Sequence, residues 1–309
     1  MRPSGLLLCG IVAACAAPEP EARSLSGAPL TPAPIPEEVR LQREAELSDA
    51  EQRWRAAPDD LDAIIWLGRR QAYLGRYRQA VATFTRGLER HPEAPRLLRH
   101  RGHRWITLRR FDDAIADLER AAQLVAGQAD RVEADGLPNA RGIPTSTLQT
   151  NIWYHLGLAR YLSGDLAGAA MAYARCREVA SNPDMTSAAL YWCVLIAERR
   201  GRGQEAREWL AAVTPDWDII ENHGYHQLLL LFKGVRQRDD LVRAFGDGAS
   251  DSIESATVAY GLALYDRFAG RGPAARHAME RILAGSQWAA FGYIAAEAEL
   301  HGSLAVTAE

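Results

Sequence analysis

Residues 61–124 contain one 34-residue unit written twice, and this spacing restricts the possible folds more than any other feature. Gly68 and Gly102, Tyr77 and Phe111, Ala80 and Ala114, and Phe84 and Leu118 all stand 34 apart. Small residues at the glycine and alanine positions let two helices of a hairpin cross closely, and the larger residues fill the space between them. A third copy follows at Gly157, Leu166, Ala169 and Tyr173, each 55 residues after its counterpart, so 21 residues are inserted before it. A fourth has Gly201, Ala206 and Leu210, each 37 after Gly164, Ala169 and Tyr173. A unit of this length is one supersecondary element that cannot bury its apolar face alone, so copies must stack.

The residues Ile64-Ile65-Trp66-Leu67-Gly68, then Ala80, Phe84 and Pro92, resemble the tetratricopeptide repeat. The resemblance implies an all-α fold: a right-handed TPR-type α-solenoid, here of five to six helical hairpins with a terminal capping helix. It also implies work by binding in a concave groove. Residues 135–157, DGLPNARGIPTSTLQTNIWYHLG, are similar to a stretch of bacterial tetratricopeptide proteins that carry no assigned activity.

Taken in order, residues 1–15 read as a secretory signal, with one Arg and an apolar run from Leu6 to Ala14. The run is too short for a stable bilayer span. Val12-Ala13-Ala14-Cys15 resembles the bacterial lipobox, which implies lipidation at Cys15 and, with Ala16 behind it, an outer-membrane lipoprotein facing the periplasm. A cleaved, soluble periplasmic protein is the other reading. Residues 16–36 hold six prolines and no hydrophobic period, and read as an extended tether. Residues 37–126 then form a capping helix and repeats one and two, 127–148 the loop insertion, 149–213 repeats three and four, and 214–301 degenerate helical repeats and a C-terminal cap. Gly136, Pro138, Gly142 and Pro144 exclude a regular helix from the insertion.

The net charge of −3 conceals an asymmetry: between Leu67 and Arg110 stand twelve Arg and only Glu89 and Glu93, so this segment carries +10 and the remainder −13. In the family geometry the first helix of each repeat lines the groove. Carried onto this sequence, that geometry selects Arg69 with Tyr73, then Arg96, Arg99 and His103, then Asn151, Tyr154 and Tyr161, then Tyr191. Arg offers paired donors to carboxylate or phosphate, and Tyr adds flat contact area. The expected function is a non-enzymatic protein–protein interaction scaffold or assembly factor of the cell envelope, holding an acidic partner segment. The alternatives are a receptor for an anionic lipid headgroup or glycan and, last, an enzyme using the insertion.

Other patterns carry less. His100/His103 and His223/His226 have helical i, i+3 spacing, but they lack a matching acid and belong to different repeats, so no metal site or cofactor is expected. Two GxGxxA strings, at Gly201 and Gly270, sit at hairpin turns without the preceding strand a dinucleotide fold needs. Cys176 and Cys193 occupy packing positions facing adjacent units, either as a disulfide or as two buried thiols.

Overall fold

The computed structural model describes residues 19–134, 136–246 and 252–304; the apolar leader and Cys15 lie outside the described residues. Helix α1 (Glu37–Ala56) is followed by six hairpins. These are α2 (Leu61–Tyr73) with α3 (Tyr77–Arg90), α4 (Pro95–Thr107) with α5 (Phe111–Val125), and α6 (Leu148–Leu162) with α7 (Leu166–Val179). After them come α8 (Pro183–Arg199) with α9 (Gly203–Ala211), α10 (His223–Phe232) with α11 (Arg238–Phe245), and α12 (Ile253–Phe268) with α13 (Gly272–Ala284). Helix α14 (Phe291–His301) ends the array, an all-α solenoid of the tetratricopeptide type.

The repeat positions pair as their spacing requires. A Cβ on Gly102 would stand 2.8 Å from Leu118, and one on Gly157 would stand 2.7 Å from Tyr173. Each glycine therefore receives the large side chain of its own hairpin partner, and Gly68 receives Phe84 in the same way. Side-chain caps start the helices where turns are tight: Asp60 accepts from the Ala63 amide, Asp165 from Gly168 and Asn182 from Met185. The turn residue is left-handed in five hairpins as Gly75, Gly164, Gly201, Gly234 and Gly270, and in repeat two as Arg109, with φ 62°. A side chain in that region is strained, so Arg109 is held there by its contacts.

The C-terminal half departs from an open solenoid. Helices α10 and α12 fold against the inner face of α6 and α8, and Trp192 sits between the rings of Tyr161, Tyr173, Tyr191 and Tyr260 at 5.0–6.2 Å. The sequence reads the last helix as a cover for the open end of the array. Helix α14 does cover the last hairpin, packing on α12 and α13, and it also reaches the ends of the first helices of earlier repeats. Arg109 pairs with Glu297, Arg199 and Arg267 with Glu299, and the Ser303 hydroxyl donates to the Leu162 carbonyl. The composition of α14 allows this: apart from Glu297, Glu299 and the exposed His301, FGYIAAEAELH is small or apolar, and both glutamates are buried in ion pairs.

Residues 19–36 also differ from the expected extended tether. Strands β1 (Ala22–Arg23) and β2 (Pro29–Leu30) pair antiparallel. Leu30 is buried in the core, and the Trp288 indole donates to the Thr31 carbonyl. Isolated apolar residues at Ala22, Leu25 and Leu30 anchor the segment without any period. The prolines hold it extended at little entropic cost.

Candidate functional site

The array encloses a cavity of about 680 Å³, within the range of pockets that bury a small ligand. Its inner wall comes from α2, α4 and α6, its floor from Ala289, Ala290 and Phe291, and its far side from α10 and the start of α12. The 127–148 insertion passes beside it and contributes Leu137 to its lining. An antiparallel bridge between Val132 and Thr147 closes the insertion at its base. Arg69 Nη1 then donates to the Ala134 carbonyl at 2.8 Å and Arg70 to Gly136 at 3.1 Å. On the other side Asn139 Nδ2 donates to Glu221 at 2.8 Å, and Arg141 pairs with Asp218 at 2.7 Å. The insertion thus crosses from repeat one to the segment before α10. Asp184, 1% exposed, fixes that segment by accepting the amides of Ile220, Glu221 and Asn222.

Four arginines line one side: Arg43, Arg69, Arg99 and Arg104. Arg99 is neutralised by Glu133 at 2.8 Å, though its Nε has no partner. Arg43 donates to the Tyr73 carbonyl at 2.7 Å, and Arg69 lies over the Trp66 ring at 4.4 Å. Arg104 rests against the Tyr77 ring at 5.5 Å and, among the described residues, has no carboxylate or carbonyl partner. Burial lowers its pKa to about 10, against the opposing pull of the Tyr77 and Tyr73 hydroxyls. Arg104 is half-buried, and drawing a cation partly out of water without pairing it carries a cost, so the site holds a charge the fold does not need.

Three imidazoles stand beside it. The His103 and His155 rings stand 4.2 Å apart at a tilt of 37°, and His100 stacks on Phe84 at 5.7 Å. Burial first, and then the surrounding arginines, hold all three well below the ordinary histidine range, so they are neutral. His155 Nδ1 donates to the Asn151 carbonyl at 2.6 Å, which leaves Nε2 as an acceptor. Among the described residues, no group of three His, Cys, Asp or Glu is arranged to hold a metal ion.

Of the residues selected from sequence, Arg69, Tyr73, Arg99, His103, Asn151 and Tyr154 line this cavity. Asn151 and Tyr154 are 7% and 6% exposed, because Asn151 bonds Glu133 at 2.5 Å and the Tyr154 hydroxyl bonds that of Tyr225 at 2.7 Å. Arg96 is elsewhere: it pairs with Asp62 at 2.6 Å in a separate polar groove behind the insertion. Tyr161 and Tyr191 are fully buried, covered by α10 and α12. The Tyr161 hydroxyl meets that of Tyr260 at 2.6 Å. Sequence reasoning missed Arg43, Arg104, Glu221, Glu254 and Phe291. Only Arg104 had a signal there, as a further cation in the Arg-rich first helix of repeat two.

Neither a family model nor a curated protein matches the chain. Among solved structures it is similar to YrrB, a TPR protein with an unusual peptide-binding site, at 12% identity and TM-score 0.41, over 76% of this chain and 91% of that one. It is also similar to a tetratricopeptide repeat protein from Parabacteroides merdae, at 11% identity and TM-score 0.48, over 82% and 92%. A third likeness is to the Naa15/Naa10 structure with HypK-THB, at 18% identity and TM-score 0.38; 80% of this chain is covered, but it spans only 34% of that one.

The remaining groups are inert by burial. Cys176 and Cys193 are free thiols; burial pushes the Cys176 thiol up, and the Cys193 thiol up to about 11. Among the described residues no helix is long and apolar enough to cross a membrane.

Proposed function

We propose that this is a non-enzymatic binding protein of the bacterial cell envelope, anchored by lipid at Cys15, whose central cavity receives an anion-bearing segment of a partner protein. The observation that carries the reading is Arg104: a guanidinium at the wall of an aromatic-lined cavity, without a counter-ion among the described residues. A carboxylate entering there gains a charge-assisted bond and relieves an existing cost. Arg43 and Arg69 flank it, bonded to backbone carbonyls and not to acids. The neutral imidazoles favour a second reading, an anionic glycan, since His155 Nε2 can accept from a hydroxyl.

The test is a photo-crosslinking amino acid at Leu137, on the cavity rim, in cells carrying the full chain. A discrete protein adduct at Leu137 that disappears in Arg104→Met supports a partner held in the cavity. The same probe at exposed Met171 on α7 should give none. An adduct indifferent to Arg104→Met overturns the reading, and a glycan adduct moves it to the second.

A further inference from the structure

The cavity is not uniformly cationic. Of its lining residues the exposed ones gather at one rim: Leu137 from the insertion, Glu221 before α10, and Ile253 and Glu254 at the start of α12. Leu137 and Ile253 are 50% and 63% exposed, whereas the wall at Tyr154 and His155 is 6% and 4% exposed. This rim is therefore the mouth. It is apolar at two points and acidic at two.

The two rim carboxylates are held in place by neutral donors. Glu221 accepts from the Thr145 hydroxyl at 2.5 Å and from Asn139 at 2.8 Å. Glu254 accepts from the Gly224 amide at 3.0 Å. Among the described residues neither has an Arg, Lys or His within ion-pair distance. Each is thus oriented without an ion pair, as Arg104 is on the inner side, although Glu221 also shares a small pocket with Arg69 and Arg99. The lining therefore carries both signs of charge, with Arg104 against Tyr77 on α4's side and Glu221 and Glu254 at the mouth, and Tyr154, Tyr225 and Phe291 complete it with aromatic surface.

Resting on the binding reading above, we infer that the partner segment is itself dipolar. Its carboxylate reaches Arg104, an aromatic or aliphatic side chain lies among the rings, and a basic side chain stays at the mouth against Glu221 and Glu254. A purely acidic segment would meet repulsion at the mouth it must pass. A purely basic one would leave Arg104 unpaired. Complementary charge at both ends also fixes the direction in which the segment lies.

The experiment uses the purified chain and a soluble randomised pentapeptide pool, with the retained fraction sequenced. The wild-type protein should enrich peptides carrying both an acidic and a basic residue about tenfold over those carrying an acid alone, the ratio a single well-placed ion pair supplies. Glu221→Gln with Glu254→Gln keeps an acceptor for the Asn139 amide and for the Gly224 amide, and the Thr145 hydroxyl can turn to accept from the new side-chain amide, so the fold is retained. That variant should lose the preference for a base and keep the preference for an acid. Arg104→Met should lose the preference for an acid. If wild type and the Gln variant enrich the same acid-only peptides, the dipolar inference fails while the anion-binding reading stands. If neither retains any charged class, both fail.

Discussion

Arg109 and Glu297 join at 2.8 Å across 188 residues of chain, with side chains only 4% and 2% exposed. Arg109 occupies the left-handed turn that glycine fills in the five other hairpins. Its guanidinium also donates to the carbonyls of Thr107 at 2.6 Å and Trp288 at 2.8 Å. The chain has accepted backbone strain in repeat two to obtain a side chain that holds α14.

Arg109→Gly therefore sets two effects against each other. Relief of the left-handed strain is worth about 1–2 kcal/mol. Loss of the partner leaves Glu297 buried and charged, which costs about 3–5 kcal/mol. The variant should be less stable by about 2 kcal/mol in urea unfolding, and adding Glu297→Gln should recover part of the loss.

Gly157→Ala tests the hairpin register. Alanine favours a helix interior by about 1 kcal/mol, but the new methyl would stand 2.7 Å from the Tyr173 ring. Overpacking of this kind costs about 1–3 kcal/mol. A lower melting temperature is expected, and a higher one would mean that the two helices do not cross there.

Arg104→Met should raise the melting temperature of the unliganded protein, by the equivalent of about 1 kcal/mol, while weakening binding. The gain follows from replacing a half-buried cation that has no ion pair with an apolar side chain of similar length. A drop in melting temperature would show that Arg104 serves the fold and not the ligand.

The buried histidines set a pH dependence. Folding holds His100, His103 and His155 below the ordinary value, so below about pH 6.5 the unfolded chain binds more protons than the folded one. Stability should be flat above that pH with respect to these groups. It should fall as the pH drops further, by up to about 1.4 kcal/mol per pH unit for each histidine. His103→Phe, which keeps an aromatic beside His155 and Phe291, should remove about a third of the slope between pH 7.5 and 5.5.

Cys15→Ser should move the protein from the membrane to the soluble periplasmic fraction. Equal recovery of both forms in the soluble fraction would favour the cleaved, soluble alternative.

Much of the fold was legible because it repeats. The pairing of Gly102 with Leu118 and of Gly157 with Tyr173 is written in the spacing. The cavity was legible only where neighbouring repeats build it. Arg69, Arg99 and His103 follow from the period, but Phe291 and Glu254 reach the site through closure of the array, which leaves no periodic trace. Tyr161 and Tyr191 were assigned to the groove for the same reason: their register is correct, and α10 and α12 cover it. Arg96 is separated by the insertion, whose path no repeat specifies.

An open stack of hairpins stretches and twists like a spring, each unit yielding slightly against the next. Here α14 is a crossbar tied to the second, third and fourth repeats and to α12 through Arg109, Leu162, Arg199 and Arg267. Such ties resist a change of pitch, so the mouth is expected to alter its gauge on binding less than that of an open stack would. Guests are then sorted by fit at the threshold, and one that is too broad is turned away where a springier array would widen to admit it.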